Sequence, residues 1–247
     1  MTDHPNARDY ANKAGSLGII RWGRPAMQID LAPIQAVAQR VEVIGRAVLV
    51  QADCRDVLPV LPKVDACVTD PPYGIGFDGG KVGRAEYEKL DWDSEAADVR
   101  FIIEREWPAI IWGGNYFALP ASAKWLVWDK RNDQTTFADC ELAWTNLDGA
   151  VRQFRWMWSG PYQQQREERW HPTQKPLALM KWCVAFIPKA EVIFDPFMGS
   201  GTTGVAAVQM GRDFIGVERE PRYFDIACKR IEDAQRQGDL FIDGTST

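Results

Sequence analysis

The chain has 247 residues, 46% of them hydrophobic and 26% charged, with a formal net charge of −5. That suffices for one good core and argues against broad electrostatic binding of nucleic acid, because phosphate contacts need Lys and Arg. No stretch is apolar over the roughly 18 residues of a membrane span, and Met1-Thr2-Asp3-His4-Pro5 lacks the basic-then-apolar start of a secretion signal. Five scattered cysteines (Cys54, Cys67, Cys140, Cys183, Cys228), none in CxxC spacing, read as buried thiols in a reducing cytoplasm. With only His4 and His171 as imidazoles, no metal is expected, and the His-x-Glu plus paired-Cys signature of zinc deaminases is absent.

In chain order, residues 1–45 form an N-terminal arm punctuated by Pro5, Gly15, Gly18, Gly23, Pro25 and Pro33, in which only Ile34 to Ile44 has a helix or strand pattern. A strand-like run, Ala47 to Ala52, ends at Asp53; a helical turn (Val57 to Leu61) follows, and Ala66-Cys67-Val68-Thr69 runs into Asp70-Pro71-Pro72-Tyr73. Residues 74–93 are glycine-rich and charged, a predicted mobile loop over the site. Asp93-Ser94 with Glu95 onward predicts a capped helix to Trp107. Short apolar runs at 109–112, 125–128, 142–144 and 151–157 predict strands. Pro176 opens a helix to Phe186. Strand 192–194, a glycine turn, helix 202–210, strand 214–217 and helix 222–235 complete a β-α-β-α tail. Strands alternating with helices predict an α/β fold with a mostly parallel central sheet flanked by helices, occupying 46–247 as one domain.

Asp195-Pro196-Phe197-Met198-Gly199-Ser200-Gly201-Thr202 joins a strand to a helix. Gly199 and Gly201 permit a tight turn and a close approach of backbone to ligand. The N–H groups at 202–204 suit a carboxylate or another anion. No Lys follows the second glycine, so this is not a P-loop. Glu218 ends the next strand, where an acidic residue accepts from ribose hydroxyls. A nucleoside without pyrophosphate fits, with S-adenosylmethionine as the leading candidate; a plain strand-turn-helix connection is the alternative.

Asp70-Pro71-Pro72-Tyr73 makes a second corner. Prolines fix φ and remove donors, leaving carbonyls outward. The Asp70 carboxylate and the Pro71 carbonyl can accept both hydrogens of one amino group, and Tyr73 can stack on the ring that bears it. An aromatic amine is a poor nucleophile because its lone pair is delocalised; two such acceptors localise it and stabilise the charge that develops on attack. A proline-rich strand exit with a surface tyrosine is the competing explanation.

Asp-Pro-Pro-Tyr-Gly, then His171-Pro172-Thr173-Gln174-Lys175-Pro176, then Asp-Pro-Phe-x-Gly-Ser-Gly-Thr resembles the amino-DNA methyltransferases, N6-adenine or N4-cytosine type. The order, with the acidic-aromatic motif before the cofactor glycines, is similar to their permuted β group. Protein-glutamine methyltransferases share that corner but put the glycine motif first. The resemblance covers roughly 47–235 and implies a Rossmann-like S-adenosylmethionine-dependent methyltransferase fold. It implies that Asp70, Pro71 and Tyr73 hold and activate a flipped base, with Pro72 shaping the corner. It places Phe197, Gly199, Ser200, Gly201 and Thr202 along the cofactor, Asp195 near its amino group, Glu218 on the ribose and Asp53 on the adenine amine. Thr173 and Lys175 then lie near the methionine carboxylate, while a turn role and a direct role for His171 are equally open.

Target recognition falls in a short insertion, about 146–170. There Arg152, Arg155, Trp156, Trp158, Gln163 to Gln165, Arg166 and Arg169 can contact phosphates, stack or read base edges, and a β-hairpin with solvated arginines explains any one of them as well. A reader this small suggests a short site, loose specificity or a homodimer. The expected activity is methylation of adenine N6 in double-stranded DNA, as in restriction-modification, because Asp rather than Ser at position 70 leans that way within the family. Cytosine N4 methylation, an RNA adenine methyltransferase and a non-catalytic cofactor- or DNA-binding subunit are the alternatives.

Overall fold

Apolar runs bounded by polar turns build one nine-stranded sheet. The computed structural model describes residues 19–21, 28–76, 81–82, 85–86, 93–132, 138–159, 162–171 and 173–243. The strands are β1 (Arg40–Ile44), β2 (Ala47–Gln51), β3 (Ala66–Thr69), β4 (Ala109–Trp112), β5 (Trp125–Asp129), β6 (Cys140–Thr145), β7 (Arg152–Arg155), β8 (Val192–Asp195) and β9 (Asp213–Glu218). The helices that matter below are α1 (Cys54–Val57), α2 (Arg100–Glu104), α3 (Leu177–Ala185), α4 (Thr202–Gln209) and α5 (Pro221–Asp243).

Across the sheet the order is β7-β5-β6-β4-β3-β8-β9-β2-β1. The run from β4 to β2 is parallel throughout. Antiparallel pairing enters through β6, which lies between β4 and β5, and through β1 on β2; β7 is parallel to β5. Parallel strands are covered on both faces and so read as continuous apolar runs, and β2, β3, β4 and β8 are buried along their whole length. Alternate side chains feed opposite layers. Ala47, Leu49, Val68, Ile110 and Ile193 pack with α3, α4 and α5. Val48, Val50, Cys67, Ile111 and Phe194 pack with α1 and α2 and with Ile29, Leu31 and Ile34. A fully buried aromatic such as Phe194 or Phe214 contributes about 1.5–3 kcal/mol each.

The chain leaves β8 through α4 towards β9 on one side, and leaves β3 towards β4 on the other. Register pairs Phe194 with Cys67, so Asp195 and Asp70 emerge at the same edge of the sheet. Diverging connections at adjacent strand ends open a crevice there, which is where such sheets take ligands.

Four expectations are corrected. Residues 28–45 are not a separate arm: Ile29, Leu31 and Ile34 are core, and β1 hydrogen-bonds to β2, so a boundary at 45/46 cuts a hairpin. The helical turn expected at Val57 begins at Cys54, because the Asp53 carboxylate caps it by accepting from the Arg55 N–H at 2.9 Å. The helix expected from Asp93 to Trp107 shrinks to α2, because residues 93–97 are tied to the Asp70–Tyr73 corner. There the Gly74 N–H donates to the Asp93 carboxylate (2.9 Å), the Ala97 N–H donates to the Pro72 carbonyl (3.0 Å), and Ala96 bridges Tyr73. Cys140 is exposed, so the cysteines are not uniformly buried. Most of the loop expected at 74–93 (77–80, 83–84 and 87–92), like residues 1–18 and 22–27 and Pro172, lies outside the described residues. Among the described residues no helix is long and apolar enough to cross a membrane.

Candidate active site

A cleft of about 440 Å3 opens outside the ends of β8 and β3, and Asp53, Asp70, Asp195, Phe197 and Glu218 all line it. The glycine corner forms one wall. Gly199 sits at φ +52° with nothing within 4 Å of where a Cβ would be, so the left-handed backbone leaves an open cradle. Gly201, at φ +81°, caps α4, and a Cβ there would meet Ala227 Cβ at 2.9 Å. The turn is pinned from behind by the Arg230 guanidinium of α5. It donates to the Ser200 carbonyl at 2.6 Å, the Ser200 hydroxyl at 3.0 Å and the Thr202 hydroxyl at 3.1 Å. Burial holds Arg230 down to about 10.

Glu218 is already shaped by backbone. The Gly199 N–H donates to one carboxylate oxygen at 2.9 Å and the Glu220 N–H to the other at 2.8 Å. Burial outweighs these donors and raises the group to about 7. Asp195 accepts from the Thr69 hydroxyl (2.7 Å) and the Phe197 N–H (3.1 Å), and burial raises it to about 6. Between its ordinary value and its raised one, each group therefore holds a proton in the folded chain that the unfolded chain has released. For Glu218 the stabilisation is present below its ordinary value of 4.5 and is lost as pH rises through about 7. Glu218→Gln cannot ionise, so the fall in melting temperature between about pH 5 and pH 8 flattens in that variant, with Asp195 keeping the remainder. An unchanged slope in a thermal-melt series would contradict this.

Asp53 lines the same cleft, but Arg55 grips it from Nε at 2.9 Å and from a terminal nitrogen at 2.5 Å. Thr173 lines it too, its hydroxyl 2.9 Å from His171 Nδ1. The His171 ring packs on Tyr223 at 4.3 Å between centroids, and burial lowers it to about 3, with the Lys175 charge adding to the effect.

Asp70 and Pro72 bring the acidic-aromatic corner to the same cleft. The Tyr73 hydroxyl donates to Asp70 Oδ1 at 2.6 Å, and the Tyr73 ring stacks on Tyr116 with centroids 5.0 Å apart and planes 14° apart. Pro71 is buried, and the Pro72 carbonyl is not outward and open, since it accepts from Ala97. Lys175 lines the cleft and also reaches the acidic-aromatic corner. Its Nζ donates to Asp70 Oδ2 at 2.6 Å and pairs with Glu141 Oε2 at 3.0 Å, with the Tyr73 hydroxyl 3.1 Å away. Burial raises Asp70 despite Lys175. For Glu141 the Lys175 and Lys130 charges overcome burial and hold it at about 2. Glu141 and Arg230 had no local signal in the sequence, because β6 and α5 bring them in from afar.

The six residues proposed for DNA divide in two. Arg152, Arg155 and Arg166 are exposed, with Arg155 Nε 3.1 Å from Asp129. The other three are structural. Trp158 is 7% exposed and its indole N–H donates to the Gln174 carbonyl at 3.0 Å. Arg169 lies over the Trp158 ring at 4.7 Å and donates to the Trp158 carbonyl at 2.9 Å. Trp156 stacks on Phe154 and packs on the core. Trp158 is buried, and Trp156 and Arg169 are half-buried.

Residues 113–229 match the family model for N6- and N4-type enzymes described as DNA methylase. The Type II methyltransferase M2.DpnII of Streptococcus pneumoniae is 38% identical over 117 residues, covering 45% of this chain and 42% of that one. Over this stretch the chain is similar to amino-DNA methyltransferases. Another relative, the Type II methyltransferase M2.LlaDCHI of Lactococcus lactis subsp. cremoris, is 36% identical over 123 residues, covering 47% of this chain and 45% of that protein. The chain thus spans less than half the length of these curated relatives. The crystal structure of the M1.HpyAVI–SAM complex aligns at 25% identity and a TM-score of 0.48, covering 74% of this chain and 98% of that one.

The matched residues hold the glycine corner, Glu218, Lys175 and Glu141, whereas Asp70–Tyr73 precedes them. Lys175 joins the two parts by its ion pair to Asp70. Among the described residues no group of three His, Cys, Asp or Glu is placed to hold a metal ion.

Proposed function

We propose that this chain transfers a methyl group from S-adenosylmethionine to the exocyclic N6 of adenine in double-stranded DNA. The observation that carries the reading is that the Asp70 corner and the glycine corner line one cleft, so an amine acceptor and a nucleoside cradle face the same volume. The cradle fits S-adenosylmethionine. Gly199 leaves an open wall, Glu218 presents a carboxylate to ribose hydroxyls, Phe197 supplies an apolar side, and Asp195 lies where a ligand ammonium can pair with it.

When bound, S-adenosylmethionine supplies a methyl group on a sulfonium centre. The chain's own part is to hold and activate the amine. Asp70 accepts N–H hydrogens and favours a tetrahedral nitrogen with a localised lone pair. Tyr73 offers a ring to a base taken out of the stack, which costs a few kcal/mol of unstacking. Positioning then contributes much of the acceleration. Arg152, Arg155 and Arg166 are proposed to contact phosphate from the exposed side of 146–170, the short segment proposed to read the target.

Asp at position 70 supports adenine; cytosine N4 is the second reading, because the same acceptors fit that amine. The Type II methyltransferase names of the relatives support a place in restriction-modification. Labelled S-adenosylmethionine is incubated with the protein and unmethylated genomic DNA, and the digested nucleosides are analysed by mass spectrometry. N6-methyladenine is the expected product. N4-methylcytosine would keep the mechanism and change the base; transfer to structured RNA alone, or binding of cofactor without transfer, would overturn the proposal.

A further inference from the structure

Both oxygens of the Asp70 carboxylate are engaged by the protein itself. Oδ1 accepts from the Tyr73 hydroxyl and Oδ2 from Lys175 Nζ, each at 2.6 Å. An amine that needs Asp70 as its acceptor has to displace one of them. The Tyr73 contact is local, three residues along the chain, and its ring is held against Tyr116. Lys175 comes from a different segment and has a second carboxylate within reach, Glu141 Oε2 at 3.0 Å. The other oxygen of Glu141 is paired with Lys130 at 2.5 Å, which fixes that carboxylate in place.

The Lys175 side chain is only 5% exposed, so water is a poor replacement for Asp70 as its partner. A buried ammonium that loses its sole carboxylate is strongly destabilised; one that keeps a second carboxylate is not. The cluster holds two carboxylates, Asp70 and Glu141, against two ammonium groups, Lys130 and Lys175. Shifting Lys175 from one carboxylate to the other therefore leaves its net charge unchanged.

Resting on the proposed reaction, we infer that Glu141 is a positioning residue that takes over Lys175 and so releases Asp70 to the amine of the target base. Glu141 touches neither base nor cofactor in this scheme; it acts through Lys175. Without its charge, Asp70 is the only carboxylate left to Lys175, and the fraction of DNA-bound enzyme with Asp70 available falls. The loss then appears in kcat and not in the KM for DNA, whose binding is complete before Asp70 is needed.

The test uses the full chain and unmethylated genomic DNA, comparing the wild type with Glu141→Gln and Glu141→Asp. In Glu141→Gln, kcat falls at least about tenfold, while the KM for DNA and the Kd for S-adenosylmethionine stay near wild type. Glu141→Asp, which keeps the charge, recovers most of the rate; a residue that merely filled space would not discriminate in this way. A wild-type kcat in Glu141→Gln, or equal losses in the two variants, overturns the inference and leaves the proposed function standing. Where Glu141→Gln fails to fold, the Glu141→Asp rate decides, and a loss of tenfold or more there overturns the inference. A wild-type chain that methylates no DNA overturns the proposed function and this inference together.

Discussion

Replacing Asp70 by Ala abolishes methyl transfer while S-adenosylmethionine still binds. Asp70 is the carboxylate at the mouth shared by the two corners, and it supplies the negative charge against which a developing positive charge on the amine is stabilised. Losing one preorganised group of this kind costs on the order of a hundredfold to a thousandfold in rate. The structure raises that figure, because the same substitution unseats Tyr73, whose hydroxyl loses its acceptor at 2.6 Å.

The cofactor wall does not depend on Asp70. Gly199 is held to Glu218, Asp195 to Thr69 and Phe197, and Ser200 to Arg230. Calorimetric binding of S-adenosylmethionine beside single-turnover transfer to DNA separates the two walls. Near-full transfer in Asp70→Ala would remove Asp70 from the chemistry, and loss of cofactor binding would show that the walls are one unit. Asp70→Asn, of nearly the same shape, shows whether charge or shape is missing.

The two corners were legible because each is a short local pattern whose geometry follows from its own residues. Prolines after Asp70 fix a strand exit, and glycines after Asp195 permit the left-handed turn at +52° and +81°. The parallel strands were legible for the same reason, since four or five apolar residues between polar turns can scarcely lie anywhere but inside a sheet. Groups brought in from a distance were invisible. Glu141 sits on a strand whose sequence gives no hint that one carboxylate faces Lys175, and Arg230 looks like any other cation on a long amphipathic helix.

The errors share that origin. Asp93-Ser94 has the composition of a helix start, but its capping capacity is used by Gly74, nineteen residues earlier in the chain. Trp156 and Trp158 follow closely on Arg152 and Arg155 in the chain, yet Trp158 is buried and Trp156 packs on the core. Burial separated them from Arg152 and Arg155, and burial is not written in the local pattern.

Gly113→Ala should be nearly as damaging as the loss of Asp70, by geometry alone. Gly113 sits just past β4 at φ +68°, and a Cβ there would lie 2.1 Å from Tyr73 Cε1 and 2.4 Å from Cδ1. An alanine faces two penalties: a backbone conformation that side chains disfavour, and a clash with a ring that cannot stay where it is. The ring cannot withdraw easily, because Tyr116 is stacked on it and its hydroxyl is tied to Asp70. Relief therefore comes from moving the Tyr73 ring or opening the end of β4, and either displaces the platform for the base relative to Asp70. A misplacement of about 1 Å in a reacting pair costs on the order of a hundredfold in rate. The expected result is a transfer rate lowered by that order with S-adenosylmethionine affinity unchanged, since Gly113 does not line the cofactor wall. A second variant, Gly113→Ala with Tyr73→Phe, removes the hydroxyl tether and lets the ring yield. If the clash is the cause, adding Gly113→Ala to Tyr73→Phe lowers the rate by less than adding it to the wild type. Equal losses in the two backgrounds would assign the effect to the backbone strain at +68° instead.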